Sequence, residues 1–582
     1  MSGGLYRSAH AARDGYPPPE DGVTLISVDM QSSGTGDQAL PPEHLDDTAG
    51  TAGDSAIMAA GSLVSRLVGF VRNALIGMTL GAGVGDAYTS AQFLPGQIYE
   101  LLLGGILSSV LVPLLVRRRK ADGDGGQAYT QKLLTFAVIS LGIATLLVVA
   151  AAPLITAIQS GSGTSAAYRG LVTKFAYLIL PIIFFTGLSA LIGAVLNVRG
   201  HFAAPMWAPI LNNLVVIATC GVFLAVFGTK GGLTPQTITP AQILLIGGGT
   251  LLGMVVQAVG LLPALRKVGF AWRWRWDPRG LGLREIGKLA GWMLCYVGAN
   301  QVAVFVVVRL LSRVAGKDSP SVLAYNNVFL LMMMAHGIVG VSIMTALLPK
   351  MSAAAADGRY ADVSADLSRG IRLTATALAP IVVVYAVLGT PIAVTLFQGY
   401  RYTNAQAVAT GGVLVVAAFA VLPLSISYLC TYAFYSLQGN KTAALINLPV
   451  VAVRIAAYVI LGAVLADRLA AAGMTAGNAI SYLVSALISL AVLRRRIGRL
   501  NLGSVVVALI KVFIAAAIAA VLGIIVVRLL PGGAAPTGRG EAVVQVLAGG
   551  TVVLLAYLGA ATVLRVHEVR QVIGMVRRRL GR

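Results

Sequence analysis

Charged residues are scarce in this sequence. Only 11% of its 582 residues are Asp, Glu, Lys or Arg, 57% are hydrophobic, and the mean hydropathy is +0.82. A soluble globular protein carries about a quarter charged residues, so the composition excludes that class. The sequence predicts a chain that crosses a lipid bilayer many times.

Cysteines are also few, and residue groups with catalytic spacing are missing. Cys220, Cys295 and Cys430 stand in apolar runs without the spacing of metal ligands or loop disulfides, which favours plain packing. No Walker motif or catalytic constellation occurs, so we expect neither an enzyme nor a cofactor. The net charge of +22 comes from short basic clusters between apolar runs, which argues against a nucleic-acid partner.

Long apolar runs dominate what is present. Residues 1–56 are polar, rich in acids and without a hydrophobic signal segment, and we expect them to form a disordered cytoplasmic tail. From residue 57 onwards about fourteen runs are long enough to cross a bilayer as helices, which predicts an all-α polytopic membrane fold. The predicted layout is helices 1–6 in residues 57–265, a cytoplasmic linker in 266–285, helices 7–12 in 286–493, helices 13–14 in 494–564 and a basic cytoplasmic tail in 565–582.

The loops between these runs differ in charge. Alternate loops, together with the segment from residue 565, hold 27 Lys and Arg residues, whereas the loops on the opposite side hold 8. Cytoplasmic loops carry an excess of basic residues. The sequence therefore predicts a multi-pass protein of a plasma membrane with both termini in the cytoplasm.

A weak internal repeat relates the first and second groups of six runs. Pro113 and Pro349 end corresponding runs 236 residues apart, and Gly200 and Gly439 follow corresponding runs 239 residues apart. Six is an even number, so both groups have the same orientation in the membrane. We therefore predict two pseudo-symmetric six-helix lobes, with the last two helices outside the repeat.

A few charged residues interrupt the apolar runs. Those farthest from the run ends are Arg66, Arg72, Arg454, Lys511 and one acid, Glu100. An arginine facing lipid near the bilayer centre costs at least about 2.5–3.5 kcal/mol, so we expect these arginines to face a bundle interior or a wet cavity. Arg309 lies close to the outer end of its run and is expected to reach water.

The first run places its cations on one polar face. Ser65, Arg66, Gly69, Arg72 and Asn73 recur at helical spacing. Two arginines with one nearby acid leave net positive charge, and guanidinium groups donate paired hydrogen bonds to phosphate oxygens, so a diphosphate ligand is favoured. The alternative is structural, with arginines that tie helices together through carbonyls or Glu100. Glu100 would be either a counter-charge that the ligand displaces or half of a fixed ion pair.

Three segments resemble a known family. "SRLVGFVRNALIGMTLGAGVGDAY", "FLPGQIYELLLGGILSSVLVP" and "HGIVGVSIMTALLPKMS" are similar to the first, second and eighth helices of the MurJ/MviN family of bacterial lipid II flippases. The resemblance implies the fold of the multidrug/oligosaccharidyl-lipid/polysaccharide exporter superfamily, with two lobes around a cationic cavity and a lipid-tail groove at the last two helices. It also implies that lipid II moves from the inner to the outer leaflet of the inner membrane by alternating access.

The resemblance assigns roles to particular residues. Arg66 and Arg72 match the family's cavity arginines, and Asp86 matches an aspartate at the outer end of the first helix. We expect all three to bind the substrate, together with Asn73 and Glu100. The sequence departs from proteobacterial members after the second helix's Leu-Pro, where it has Tyr99 and Glu100 instead of a basic pair, and early in the eighth helix, where "NNVFLLMMM" offers no arginine. Arg454, and after it Arg309, is therefore predicted to complete the diphosphate site.

Two other functions remain open at this point. One is export of another polyprenyl-diphosphate-linked oligosaccharide, or drug export of the related MATE kind; a drug exporter should hold acids in its cavity, whereas this interior is net basic. The other is a transporter-like scaffold that recruits cell-wall synthesis or division proteins through its tail or through residues 266–288. The expected ligands are lipid II or a similar polyprenyl-diphosphate lipid, together with the membrane itself.

Overall fold

The computed structural model describes residues 47–99, 112–161, 163–229, 231–281, 283–315, 321–498 and 500–569. The chain divides into two compact units, and of the smaller one, which ends at Gly53, only the first turns of one helix are described. The larger unit, Asp54–Arg582, contains the rest of the described residues. Glu100 lies outside the described residues.

Helices make up the first half of the described chain. They are α1 (Asp47–Tyr99), α2 (Val112–Ala121), α3 (Gln127–Ala150), α4 (Ala152–Ser160), α5 (Ala166–Ile179), α6 (Ile182–Val198), α7 (Ala203–Phe227), α8 (Pro240–Gly260) and α9 (Leu262–Lys267).

The second half continues in the same way. Its helices are α10 (Leu283–Leu311), α11 (Val322–Ala335), α12 (Val341–Ala356), α13 (Tyr360–Phe397), α14 (Asn404–Ser436), α15 (Asn440–Val464), α16 (Ala470–Ile497), α17 (Leu502–Leu529) and α18 (Arg539–Val563). A π-helical segment, His336–Gly340, joins α11 to α12.

Twelve described segments are long and apolar enough to cross a membrane. One of them, Val64–Gly96, contains a sharp bend at Gly81, and the apolar part of α10, Cys295–Leu311, is shorter than the rest. The predicted all-α multi-pass fold is confirmed, and the count of fourteen spans stays a prediction.

Helix α1 consists of two limbs that fold back on each other. Gly81 interrupts the helix with φ 71° and ψ 179°, a conformation that glycine adopts at little cost. Arg72 and Gly96 line one cavity, although 24 residues of straight helix would span about 36 Å. The chain therefore reverses direction at Gly81, as two successive membrane spans require.

Two matching turns, one after α6 and one after α14, support the predicted repeat. After α6 the backbone N–H of His201 donates to the carbonyl of Leu196, and after α14 the N–H of Gly439 donates to the carbonyl of Phe434. Gly200 (φ 79°) and Gln438 (φ 55°) occupy the left-handed position inside these loops, as in a helix-ending Schellman turn. The offset here is 238 residues, so Gly200 corresponds to Gln438 rather than to Gly439.

The bundle has two ends, which we name by their features. The Gly81 end carries Gly81 and the loop between α13 and α14. The linker end carries the segment between α9 and α10, where Asp277 Oδ2 accepts a hydrogen bond from Lys132 Nζ of α3 at 2.7 Å. This hydrogen bond, together with one from the Gly280 N–H, holds the pKa of the Asp277 carboxyl below its ordinary range. The linker therefore packs on the first half.

The boundaries of both predicted tails differ from the structure. Helix α1 begins at Asp47, so the last ten residues of the predicted disordered tail are helical. Three of these ten are alanine, a strong helix former. At the other end, Val566 and Val569 are buried against α13, α17 and α18. The first residues of the predicted basic tail thus belong to the folded body. Residues 1–46 and 570–582 lie outside the described part.

Helices α17 and α18 pack on the second half. Their shared core joins Ala379 and Val383 of α13 to Ala515 of α17 and Val553 of α18. The Tyr557 hydroxyl donates to the carbonyl of Thr376 at 2.9 Å. Both helices keep large apolar side chains exposed on their other faces, among them Phe513 and Leu547, as expected for surfaces that face lipid.

Candidate functional site

Three adjoining compartments lie in the interior of the bundle, and together we call them the central cavity. The α1 compartment, of about 460 Å³, is lined by Arg66, Arg72 and residues of α11, α12 and α14. The α15 compartment, of about 390 Å³, lies mainly within the second half and contains Arg454. A junction compartment of about 350 Å³ shares Arg72 with the first and Gln301 with the second.

The first limb of α1 supplies two cations to this cavity. Arg72 Nη2 donates to the Asn73 side-chain oxygen at 3.1 Å, and the buried Arg72 Nε has no hydrogen-bond acceptor within the described residues. A buried donor without an acceptor costs about 1–3 kcal/mol. Arg72 therefore lacks a full set of hydrogen-bond partners within the described residues in this conformation.

Arg66 is exposed in the α1 compartment and touches the opposite half. A Cβ atom added to Gly337 would lie 1.8 Å from Arg66 Nη1. Only a glycine at the π-helical junction lets the guanidinium approach this closely. Short π-helical segments inside α-helices are frequent at functional sites.

Arg454 is held by neutral groups in the α15 compartment. Its Nε donates to Ser481 Oγ at 2.9 Å, its Nη1 donates to Asn300 Oδ1 at 3.1 Å, and its guanidinium carbon lies 5.1 Å from the centroid of the Tyr482 ring. These contacts fix the side chain without neutralising its charge.

The walls around Arg454 are rich in tyrosine and amide side chains. Asn478 accepts a hydrogen bond from the Tyr458 hydroxyl and donates to the Tyr325 hydroxyl at 2.8 Å. Tyr296 and Asn447 also line this compartment. This group was not among the residues expected from the sequence, although tyrosines recurring in otherwise apolar runs are a usable signal, because a buried hydroxyl needs a partner.

His336 extends the polar lining to the π-helical segment. Its Nδ1 lies 2.9 Å from Ser425 Oγ, and its ring centroid lies 4.9 Å from that of Tyr428. Both His336 and Tyr428 line the α1 compartment. Tyr428 also lines the α15 compartment, so it stands where the two compartments adjoin.

Ion pairs among the described residues lie outside the central cavity. They join Arg118 to Asp122, Lys132 to Asp277, Arg359 to Asp357 and Asp362, and Arg372 to Glu568. Within the same residues, Arg66, Arg72 and Arg454 have no acid partner. The central cavity therefore carries an excess of positive charge in the described part of the chain.

The structure places Asp86 apart from the central cavity. Its carboxylate accepts hydrogen bonds from the Ser321 hydroxyl and, at 2.8 Å, from the Leu323 N–H at the start of α11. Only 1% of Asp86 is exposed. Asp86 thus connects the two halves at the Gly81 end, and the predicted direct contact with substrate does not fit this position.

Arg309 is also separate from the other predicted cations. Its Nη1 donates to the carbonyl of Ile158 at the end of α4, and a Cβ added to Gly161 would lie 3.3 Å from its Cγ. Arg309 does not line any of the three compartments. It joins the halves at the Gly81 end because its long side chain reaches across from α10.

Arg401 is a lobe-connecting residue that looks like an ordinary loop residue in the sequence. Its guanidinium donates to the carbonyls of Thr79 at 3.1 Å, Gly228 at 2.7 Å and Gly231 at 3.0 Å. Its own N–H donates to the carbonyl of Met78 at 2.9 Å. Every residue has a backbone carbonyl whatever its side chain. No residue pattern in the sequence could therefore identify this contact.

Two solved structures of transporters share this architecture. An inward-facing multidrug resistance MATE family transporter of the MOP superfamily superimposes with a TM-score of 0.61 at 17% identity, covering 76% of this chain and 99% of that one. A structure described as lipid II flippase MurJ in an inward closed conformation gives a TM-score of 0.70 at 16% identity, covering 89% and 100%. The fold is therefore that of a MOP-type transporter.

Sequence comparison identifies the family within this class. The family described as lipid II flippase MurJ matches residues 76–534, and the chain belongs to this family. The matched range includes Asp86, Arg309 and Arg454 and begins after Arg66 and Arg72.

Curated relatives agree with the family assignment. A probable lipid II flippase MurJ of Bdellovibrio bacteriovorus is 25% identical over 528 residues, covering 89% of this chain and 95% of the relative. The lipid II flippase MurJ of Burkholderia cenocepacia is 27% identical over 405 residues, covering 67% and 74%. The resemblance seen in the helix motifs is confirmed.

Proposed function

We propose that this chain translocates lipid II, an undecaprenyl-diphosphate-linked peptidoglycan precursor, across the bacterial plasma membrane. Its family membership supports the substrate. The observation that carries the proposal is the positive charge that Arg66, Arg72 and Arg454 bring to the central cavity, where they have no acid partner among the described residues. A diphosphate supplies the charge that these guanidinium groups lack.

The proposal assigns the linker end to the cytoplasm. The loops at this end belong to the set that holds 27 basic residues, against 8 in the loops of the other set. Both chain termini are then cytoplasmic, and the Gly81 end faces outwards. Because Asp86, Arg309 and Arg401 all join the halves at the Gly81 end, this conformation is closed towards the outside.

The head group of lipid II would be divided between the compartments. The diphosphate would lie against Arg66 and Arg72, which both line the α1 compartment. The sugar and peptide groups extend into the α15 compartment, whose tyrosine rings and amide side chains offer apolar faces next to hydrogen-bonding groups. Arg454, which the sequence predicted to complete the diphosphate site, lines this compartment and not the one with Arg66 and Arg72. We therefore assign it to the peptide carboxylates instead.

Transport then requires the Gly81 end to open. The hydrogen bonds of Asp86 and Arg401 must break, and the halves must separate around the bound head group, as in alternating access. Glu100 remains our candidate for the counter-charge that the diphosphate displaces. The cavity's positive charge disfavours cationic drugs, so export of the MATE kind is not supported.

Reconstituted transport tests the proposal. Purified protein in liposomes should move fluorescent lipid II from one leaflet to the other, measured by quenching with a membrane-impermeant reductant. Arg72→Ala should abolish transport with a normal amount of folded protein, and Arg72→Lys should restore it only partly because the paired donors are lost. Arg468→Ala removes an exposed arginine outside the cavity and serves as the matched control.

Two results would contradict the proposal. One is full transport by Arg72→Ala. The other is wild-type protein that moves a different polyprenyl-diphosphate oligosaccharide while leaving lipid II in place, which would assign the cavity to that substrate instead.

A further inference from the structure

A second large cavity lies at the linker end, away from the central cavity. It has a volume of about 480 Å³ and is formed by α13, the start of α17 and the residues after α18. We call it the C-terminal pocket. Its polar lining consists of Arg372, Asn501, Ser504, Lys511, Arg565, His567 and Glu568. None of these residues lines the central cavity, so the proposed transport function leaves the pocket unexplained.

The one acid among the described residues that line the C-terminal pocket is already paired. Arg372 Nε lies 2.9 Å from Glu568 Oε1, and Arg372 Nη1 donates to Ser504 Oγ at 3.1 Å. Within the described residues, Lys511 and Arg565 form no ion pair. The pocket therefore holds two positive charges that its own residues do not balance.

Lys511 lies well inside α17 and away from the end of the helix. It is nine residues after the first residue of α17, which corresponds to about 13 Å along the helix axis. Ser504, Val507, Ala508 and Lys511 share one face of α17 and line the pocket. Small side chains before the lysine leave space for a bulky group between Lys511 and the helix end.

The pocket continues into a surface suited to acyl chains. Val507 is 55% exposed, and Ile510 and Phe513 of α17 are also exposed. A cationic recess beside an exposed apolar helix face matches the two parts of a phospholipid, whose phosphate lies at the interface and whose chains lie below it. Basic pockets between membrane helices on the cytoplasmic side commonly bind anionic head groups.

We propose that the C-terminal pocket binds an anionic glycerophospholipid of the cytoplasmic leaflet, with Lys511 and Arg565 contacting its phosphate. The Arg372–Glu568 pair forms the fixed wall of the site. Bound lipid would connect the segment after α18 to α17. The site rests on the proposed orientation of the linker end and is independent of what the central cavity transports.

Lipid retention by the purified full-length protein tests this site. Native mass spectrometry would compare phosphatidylglycerol, zwitterionic phosphatidylethanolamine and inorganic phosphate. We expect phosphatidylglycerol to be retained and the other two to dissociate. Removing one charge should weaken binding about fivefold, and K511Q with R565Q together about 25-fold, since each cation near an anionic lipid contributes about a factor of five.

Matched variants separate the site from general surface charge. R528Q removes a cation at the opposite end of the same helix and should leave retention unchanged, whereas K511R should keep it. Arg72→Ala should also retain phosphatidylglycerol, which separates failure of this site from failure of the transport proposal. In wild-type protein, a phosphatidylglycerol with a photoreactive head group should crosslink to residues 501–511 or 565–569.

Four results would overturn or reassign the proposed lipid site. Equal losses in K511Q and R528Q, or crosslinks confined to other segments, would overturn the site. Retention of inorganic phosphate as strong as that of the lipid would identify an anion site without lipid specificity. Displacement of phosphatidylglycerol by lipid II from the 501–511 peptide would place the pocket on the transport path instead. If the K511Q variant does not fold, the crosslinking experiment on wild-type protein decides whether the lipid binds at this site.

Discussion

At the scale of single residues, glycine sets the position of a cavity arginine. Gly337 allows Arg66 to lie directly against the backbone of the opposite half, at a distance where any Cβ would collide with Nη1. The guanidinium is the flexible end of its side chain, so a larger residue at 337 would move Arg66 rather than unfold the helix. The site thus depends on a residue that carries no functional group.

We expect Gly337→Ala to lower lipid II transport about ten- to a hundredfold, because displacing a positioned group by about 1 Å can cost that much. The amount of folded protein should be normal. Gly96→Ala is the control, since Gly96 lines the same cavity but has nothing within 4 Å of an added Cβ. The measurement is the initial rate of translocation in liposomes. Equal rates for the two variants would show that the position of Arg66 does not matter.

At the scale of elements, Gly81 divides one long helical segment into two limbs. Its φ of 71° lies in the left-handed region, and an added Cβ would meet the carbonyl oxygen of Arg401 at 3.0 Å. An L-residue pays about 1–2 kcal/mol in this conformation. The reversal also brings Arg401 within reach of the carbonyl of Thr79.

Gly81→Ala should therefore lower the melting temperature of the purified protein, measured by size-exclusion chromatography after heating. Gly83→Ala should have little effect, because Gly83 has an ordinary backbone conformation and its nearest neighbour would be 3.8 Å from an added Cβ. If both variants melt at the wild-type temperature, the strain attributed to Gly81 is absent.

The start of α11 shows how an element joins the halves. The Asp86 carboxylate accepts the Leu323 N–H in the first turn of α11, as a helix-capping group does. A cap of this kind contributes about 1 kcal/mol. Asp86 therefore stabilises the contact between the two halves at the Gly81 end. This role explains why a residue matched by the family motif lies outside the central cavity.

At the scale of the whole molecule, Asp86 and Arg401 hold one conformation closed. Removing both by Asp86→Ala with Arg401→Ala should shift the population towards opening at the Gly81 end. Spin labels placed on the two halves at that end should show a longer distance distribution by electron double resonance. Arg169→Ala breaks a contact with the Gly161 carbonyl inside the first half and should leave the distances unchanged. Unchanged distances in the double variant would show that Asp86 and Arg401 do not hold the Gly81 end closed.

Much of this architecture could be predicted from the sequence. Apolar runs indicated the all-α multi-pass fold, and mid-span charge led to Arg66, Arg72 and Arg454, because burying an unpaired cation is too costly to be accidental. The positions of Asp86, Arg309 and Arg401 could not be predicted. Their partners are backbone groups and a hydroxyl in the other half, and such contacts depend on how the two halves pack.

Labelling at Gln301 is the most direct test that the central cavity receives the lipid II head group. Gln301 lines both the junction and the α15 compartments, whereas its neighbour Val302 is 54% exposed and lines neither. Each is replaced by cysteine in a background without Cys220, Cys295 and Cys430. A membrane-impermeant thiol reagent, added from the cytoplasmic side, should label Gln301→Cys, and lipid II should slow that reaction while undecaprenyl phosphate does not. Labelling of Gln301→Cys at the same rate with and without lipid II would contradict a head-group site in this cavity.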